Sequence, residues 1–229
     1  MTEDELRTQL ELELAWRQEE LAFLQNQINY VCDEKRDQYR KSLILMLYAH
    51  FEGFVKIALQ TYLQFLNELD IKVEYVNSNL QASHLQREFN AYDNLDRKNK
   101  HFKRKLPDDT KLHRFYRRVE FIESFDEYRD KELKLSDEII DTESNLWYIV
   151  LQKNLYKLGL PVDLFDDYHT EIDDLVNRRN SIAHGSFKTG VTKDEYRNWE
   201  NKVYRIMSNI NIILYQYASE HKYLKDYEA

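Results

Sequence analysis

The stretch from Ile172 to Gly185 carries the residues best suited to chemistry. Arg178, Arg179, Asn180 and His184 stand there among Ile172, Leu175, Val176, Ile182 and Ala183. A neutral imidazole takes or gives a proton near pH 7. A guanidinium binds a phosphate through two donors and stabilises charge on a pentacovalent transition state. Together these groups suffice to cleave RNA by attack of a 2′-OH on the neighbouring phosphate, without a metal. DNA lacks the 2′-OH and cannot react this way. A plainer role competes, because a histidine at a helix C-terminus also caps carbonyls and favours the dipole. Arg-x-x-x-x-His taken alone does not decide between the two.

The elements must solve a geometric problem. Asn180 and His184 lie four residues apart and share a helix face. Arg179 and His184 lie five apart, so on a regular helix their directions differ by about 140°. The helix must therefore bend or end near His184, and Gly185 permits an ending. A second copy of this helix, antiparallel across a two-fold axis, would bring two arginines and two histidines into one cleft.

The rest of the chain reads as helices. Residues 4 to 31 form an amphipathic helix with Leu10, Leu14, Leu21, Leu24, Ile28 and Val31 at heptad spacing and Arg17 interrupting the seam. That seam packs either on the chain's own body or in a dimeric coiled coil. Residues 37 to 69 form a central helix, apolar over a wide arc, whose Gly53 suggests close approach by another backbone. Residues 71 to 96 are mixed. Residues 137 to 158 read as a further helix, ended by Gly159 and Pro161. Residues 166 to 184 follow, with Asp166 or Asp167 as N-cap. Thr192 and Glu195 form a capping box that opens the last long helix.

Composition agrees. With 4 Gly and 2 Pro in 229 residues, both fall far below usages of roughly 7% and 5%, so an all-α bundle forming a single domain over 1–229 is expected. There is no glycine-rich phosphate loop, H-E-x-x-H, Cys/His cluster or EF-hand loop, so no cofactor and no metal is expected. Cys32 is the one cysteine, which favours a reducing compartment. The acidic start has no apolar signal region, and the apolar run at 43–49 is far shorter than the roughly 20 residues that span a bilayer. A cytoplasmic protein without membrane contact is the expectation.

Charge is uneven. Residues 97–118 hold ten basic and two acidic residues, a local +8 in a chain of net −8. This segment, which resumes as helix over 110–128, reads as a basic helical insert. Lys103, Arg104 and Lys105, with Phe102, Phe115 and Tyr116 nearby, offer charge and stacking surfaces to RNA. An intramolecular or partner-protein contact is the competing role.

The run Arg179-Asn180-Ser181-Ile182-Ala183-His184-Gly185 resembles the R-N-x-x-x-H signature of the HEPN superfamily. Tyr48-Ala49-His50-Phe51-Glu52-Gly53-Phe54-Val55-Lys56 resembles the early central helix of a bacterial HEPN branch associated with toxin–antitoxin and phage-defence loci. The resemblance covers residues 37–69 and 137–217. It leaves out the N-terminal helix, 1–36, and the basic insert. It implies a four-helix bundle that dimerises with paired motifs at the interface, commonly a metal-independent endoribonuclease. It gives Arg179 the phosphate, His184 the proton transfer or the 2′-OH, and Asn180 the task of orienting both. Arg178 satisfies a looser spacing. Glu52 would hold Arg179 if its helix packs alongside, or is an ordinary partly exposed residue that pairs with Lys56 four positions on. One branch carries a modifiable tyrosine two residues after the histidine; here that position is Ser186. RNA, a second copy and an antitoxin or defence-complex partner are the implied partners. Some HEPN domains are non-catalytic dimeric adaptors, which is the alternative.

Overall fold

The computed structural model describes residues 1–225; the last four positions of the expected domain, 226–229, lie outside the described residues. Among these, the chain forms eight α-helices and no strand: α1 Glu3–Asn26, α2 Arg36–Asn67, α3 Ser78–His84, α4 Gln86–Asp93, α5 Thr110–Asp130, α6 Tyr148–Lys157, α7 His169–Ala183 and α8 Lys193–Ser219. The all-α class is as expected.

Helix α2 is the axis. Leu43, Leu47, Tyr48, Phe51, Phe54 and Ala58 are all buried, and α1, α7 and α8 pack around them. By length and composition this helix is apolar enough to cross a membrane, but more than half of the relevant window is buried inside the bundle. A helix apolar over so wide an arc has to be enclosed.

Helix α1 belongs to that bundle and is not an added element. Leu6, Leu10 and Leu21 are buried in the chain's own core, and α1 packs on both α2 and α8. The heptad seam is consumed within one chain. The helix also stops at Asn26, five residues short of the expected end, and a 3-10 turn covers Gln27–Tyr30.

The seam's polar interruption has a physical reason. Arg17 is only 8% exposed; its Nη1 donates to the His50 carbonyl at 3.2 Å and its Nε to Glu13 at 2.7 Å. A Cβ on Gly53 would lie 2.8 Å from Nη1. Gly53 therefore admits a buried guanidinium, not a backbone as its position suggested.

Three further expectations are corrected. The segment 137–158 is α-helical only from Tyr148; Asp137–Ile139 is a 3-10 turn, and residues 140–147 form a loop tied to Asn154, which accepts from the Asp141 N–H and donates to its carbonyl, both at 2.9 Å. Ile140 and Leu146 are core plugs on that loop, so their spacing reported burial rather than helix. Asp166 and Asp167 sit in a 3-10 turn and cap nothing, since α7 starts at His169. Residues 97–109 are turns, so the basic insert is helical only from Thr110, where Asp109 accepts from the Leu112 N–H at 2.9 Å. At α8 the Thr192–Glu195 capping box is present.

Alanine normally exceeds glycine in a helix by ~1 kcal/mol. At Gly53 overpacking reverses the sign, and Gly53→Ala is expected to cost about 1–3 kcal/mol. In an Arg17→Ala background the same change becomes neutral or stabilising, as urea denaturation of the four proteins would read.

Candidate active site

Helix α7 carries the motif and packs against α2. Its end is set by Gly185, whose φ of +75° is left-handed and natural for glycine. His184 is the C-cap: its N–H donates to the Asn180 carbonyl at 2.9 Å. Its ring is exposed and makes no hydrogen bond among the described residues.

The loop after His184 is anchored to the start of α2. The Phe187 N–H donates to the Ser181 carbonyl at 2.9 Å, and Lys41 Nζ donates to the Phe187 carbonyl at 2.6 Å. Val191 N–H reaches the Asp37 carbonyl at 2.9 Å. Arg178 covers the Phe187 ring with its guanidinium carbon 4.4 Å from the centroid. Ser186 Oγ donates to the Ser181 carbonyl at 3.1 Å.

Arg179 enters a different environment. Its Nη1 donates to Asn145 Oδ1 at 2.9 Å and to Asn180 Oδ1 at 2.7 Å. Its guanidinium carbon lies 5.1 Å from the centre of the Tyr48 ring, in range for a cation–π contact. The Tyr48 hydroxyl is buried and accepts from the Leu146 N–H at 2.9 Å. Burial pushes the Tyr48 phenol well above its ordinary value; the Leu146 amide and the Arg179 charge oppose this, and the Glu52 carboxylate reinforces it. The phenol therefore stays protonated, and nothing in this cluster makes it a base.

The structure thus groups Arg179 with Asn180, Asn145 and Tyr48. Asn180 touches both motif residues, its side chain on Arg179 and its carbonyl on His184. No hydrogen bond joins Arg179 and His184 among the described residues. Glu52 is half-buried one turn after Tyr48 and acts on the phenol; it makes no ion pair with Arg179 among the described residues. Sequence reasoning missed Asn145, Tyr48 and Phe187. Tyr48 lies inside the central-helix motif, but Asn145 sits on a loop whose apolar spacing predicts a helix.

Residues 12–216 match the model of the family described as RiboL-PSP-HEPN. The chain belongs to this HEPN family. No curated protein and no solved structure shows significant similarity to it. The HEPN match begins inside α1 and runs through the basic segment, so it is wider than the resemblance carried by the two motifs. HEPN domains are often ribonucleases or otherwise nucleotide-related.

The basic segment of this HEPN chain divides in two. Arg117 is 4% exposed; its Nε donates to the Tyr92 carbonyl at 2.5 Å and its Nη1 to the Arg97 carbonyl at 3.2 Å. Buried His113 bonds the Leu106 carbonyl at 2.9 Å. Arg97 pairs with Glu120, Lys98 donates to the Pro107 carbonyl and Arg118 to the Tyr92 hydroxyl. These hold the arm together. Lys100, Lys103, Arg104, Lys105, Lys111 and Arg114 are exposed and make no side-chain hydrogen bond or ion pair among the described residues.

Tyr48→Phe leaves the Leu146 amide buried without an acceptor. A loss of about 1–3 kcal/mol in stability is expected, measurable by chemical denaturation.

Proposed function

We propose that the chain is a metal-independent endoribonuclease of toxin or phage-defence type, acting in the cytoplasm as a homodimer. The observation that carries this reading is the state of the two motif side chains. Arg179 is held by Nη1 and by the Tyr48 face, while its Nε and Nη2 make no hydrogen bond among the described residues. His184 presents an unbonded ring at a helix end. One group is fixed and ready for an anion; the other is open to a proton donor or acceptor.

In the proposed reaction the 2′-oxygen attacks phosphorus and the P–O5′ bond breaks. The 2′-OH proton passes to one His184, and the leaving 5′-oxygen takes a proton from another. A second copy across a two-fold axis supplies that second imidazole and places it opposite Arg179. The guanidinium stabilises the extra charge on the phosphoryl oxygens. The products are a 2′,3′-cyclic phosphate, open to hydrolysis to a 3′-phosphate, and a 5′-OH. The outward cations Lys103, Arg104 and Lys105 hold the RNA backbone. An antitoxin or defence-complex subunit would restrain the activity.

A second reading is a non-catalytic dimeric adaptor. The absence of a hydrogen bond between Arg179 and His184 among the described residues favours it, since a chain that dimerises elsewhere has no composite site.

Incubation with total tRNA in EDTA decides between them. Wild type is expected to give fragments ending in cyclic phosphate, with Arg179→Ala and His184→Ala folded and inactive. Cleavage retained in both variants overturns the site, and silence from a folded wild-type dimer favours the adaptor. Changing Lys103, Arg104 and Lys105 together to Gln should reduce the salt slope of RNA binding by about 2, at roughly 0.7 per phosphate contact. Filter binding across a salt series measures it.

A further inference from the structure

A cavity of about 290 Å³ opens on the motif helix itself, between α7, the loop after it and α8. Asp174, Asn177, Arg178 and Ser181 form its α7 wall, and Phe187 and Trp199 complete it. Asn177 and Ser181 precede His184 by seven and three residues, so the cavity and the imidazole share a side of α7. Three observations point to an anion. First, the Arg178 guanidinium is fixed but unbonded. Its carbon lies 4.4 Å from the Phe187 ring centre, and its N–H groups make no hydrogen bond or ion pair among the described residues. The fork is oriented before any ligand arrives, which lowers the entropy lost on binding. Second, the Asn177 amide and the Ser181 hydroxyl are likewise unbonded among the described residues. Third, cations gather here. Lys41 Nζ lies 5.6 Å from the Phe187 ring centre and Lys202 Nζ 5.4 Å from that of Trp199, and Lys188 is exposed on the loop. Asp174 is the one carboxylate in the wall, and no ion pair joins it to Arg178 among the described residues.

We propose that this cavity binds an RNA phosphate flanking the scissile one, with Arg178 as its chief donor. A phosphodiester accepts hydrogen bonds and donates none. The cavity offers it a forked guanidinium, an amide and a hydroxyl. Neighbouring residues on a helix point about 100° apart, so Arg178 is no duplicate of Arg179. Arg178 turns to Phe187 and the α8 side, while Arg179 turns to Asn145 and Tyr48. The two adjacent arginines then hold two different phosphates. The cations of the arm keep RNA near, and Arg178 sets which phosphate reaches His184. The inference rests on RNA as the ligand of the proposed nuclease, but not on its cleavage.

The test uses a 2′-O-methyl uridine hexamer, which cannot undergo 2′-OH attack, with fluorescence anisotropy on the full chain across a salt series. Arg178→Gln is expected to weaken binding about tenfold and to lower the salt slope by about 0.7, the share of one phosphate contact. Ser181→Ala is expected to weaken binding about threefold in the wild type and to change nothing in Arg178→Gln, because both groups act on one anion. Asp174→Asn is expected to strengthen binding about twofold, since it removes the charge that opposes the phosphate. Weaker binding by Arg178→Gln at an unchanged slope would mean that Arg178 meets a base, and overturns the proposal. Additive effects of Arg178 and Ser181, or no binding by the wild type, overturn it as well. Should Arg178→Gln fail to fold, Asp174→Asn decides alone, and unchanged or weaker binding is then the adverse result. Failure of the nuclease reading shows separately, in the Arg179 and His184 variants on unmodified RNA.

Discussion

The hydrogen bond from the Leu146 amide to the Tyr48 hydroxyl ties the site to the core. Both groups are buried, and each left alone would cost more than a typical bond contributes. Pairing them fixes the irregular loop 140–147 to the central helix. The residue before Leu146 is Asn145, which thereby stands 2.9 Å from Arg179. The ring that carries the hydroxyl also lies against that guanidinium. One tyrosine therefore satisfies the loop, packs the core and backs the arginine.

The same helix fixes the other half of the motif. Lys41 and Asp37 receive the loop that follows His184, through the Phe187 carbonyl and the Val191 amide. Lys41 and Tyr48 are seven residues apart, about 10 Å along a helix. Helix α2 thus holds the arginine at one point and the histidine's trailing loop at another. The spacing problem posed by Arg-x-x-x-x-His is met by ending α7 at His184. The two groups then face different surroundings, and the composite site of the proposed nuclease would draw on a second copy.

Much of this was legible in the sequence, and the failures share a cause. Seams at helical period, the Thr192 capping box and the Gly185 ending were readable because each is a local rule with a local signal. Arg17 and Gly53 looked like two separate imperfections. They are one feature, a guanidinium and the room it occupies, joined across two helices and visible only when those helices are packed. Ile140 and Leu146 misled for a related reason: a loop that plugs a core shows apolar residues without being a helix. Asn145 was unreadable because its role comes from the backbone amide next to it. The arm's ten basic residues looked alike as letters, yet burial separates Arg117, which builds the arm, from Lys103, Arg104 and Lys105, which face outward.

That separation constrains how the arm can matter. A cation on a phosphate binds ground state and transition state alike, so it strengthens association without lowering the chemical barrier. Only a group at the reacting phosphate binds the transition state more tightly. In this chain the outward cations sit on turns held by α4 and α5, while Arg179 sits on α7 against α2. In the proposed nuclease, affinity and chemistry would therefore be carried by different elements. Loss of arm charge should raise the RNA concentration needed and spare the bound rate, while loss of Arg179 should do the reverse. A protein arranged this way can be silenced at either element, and a partner that covers only the arm would act as a competitor of RNA and leave the chemistry of the site intact.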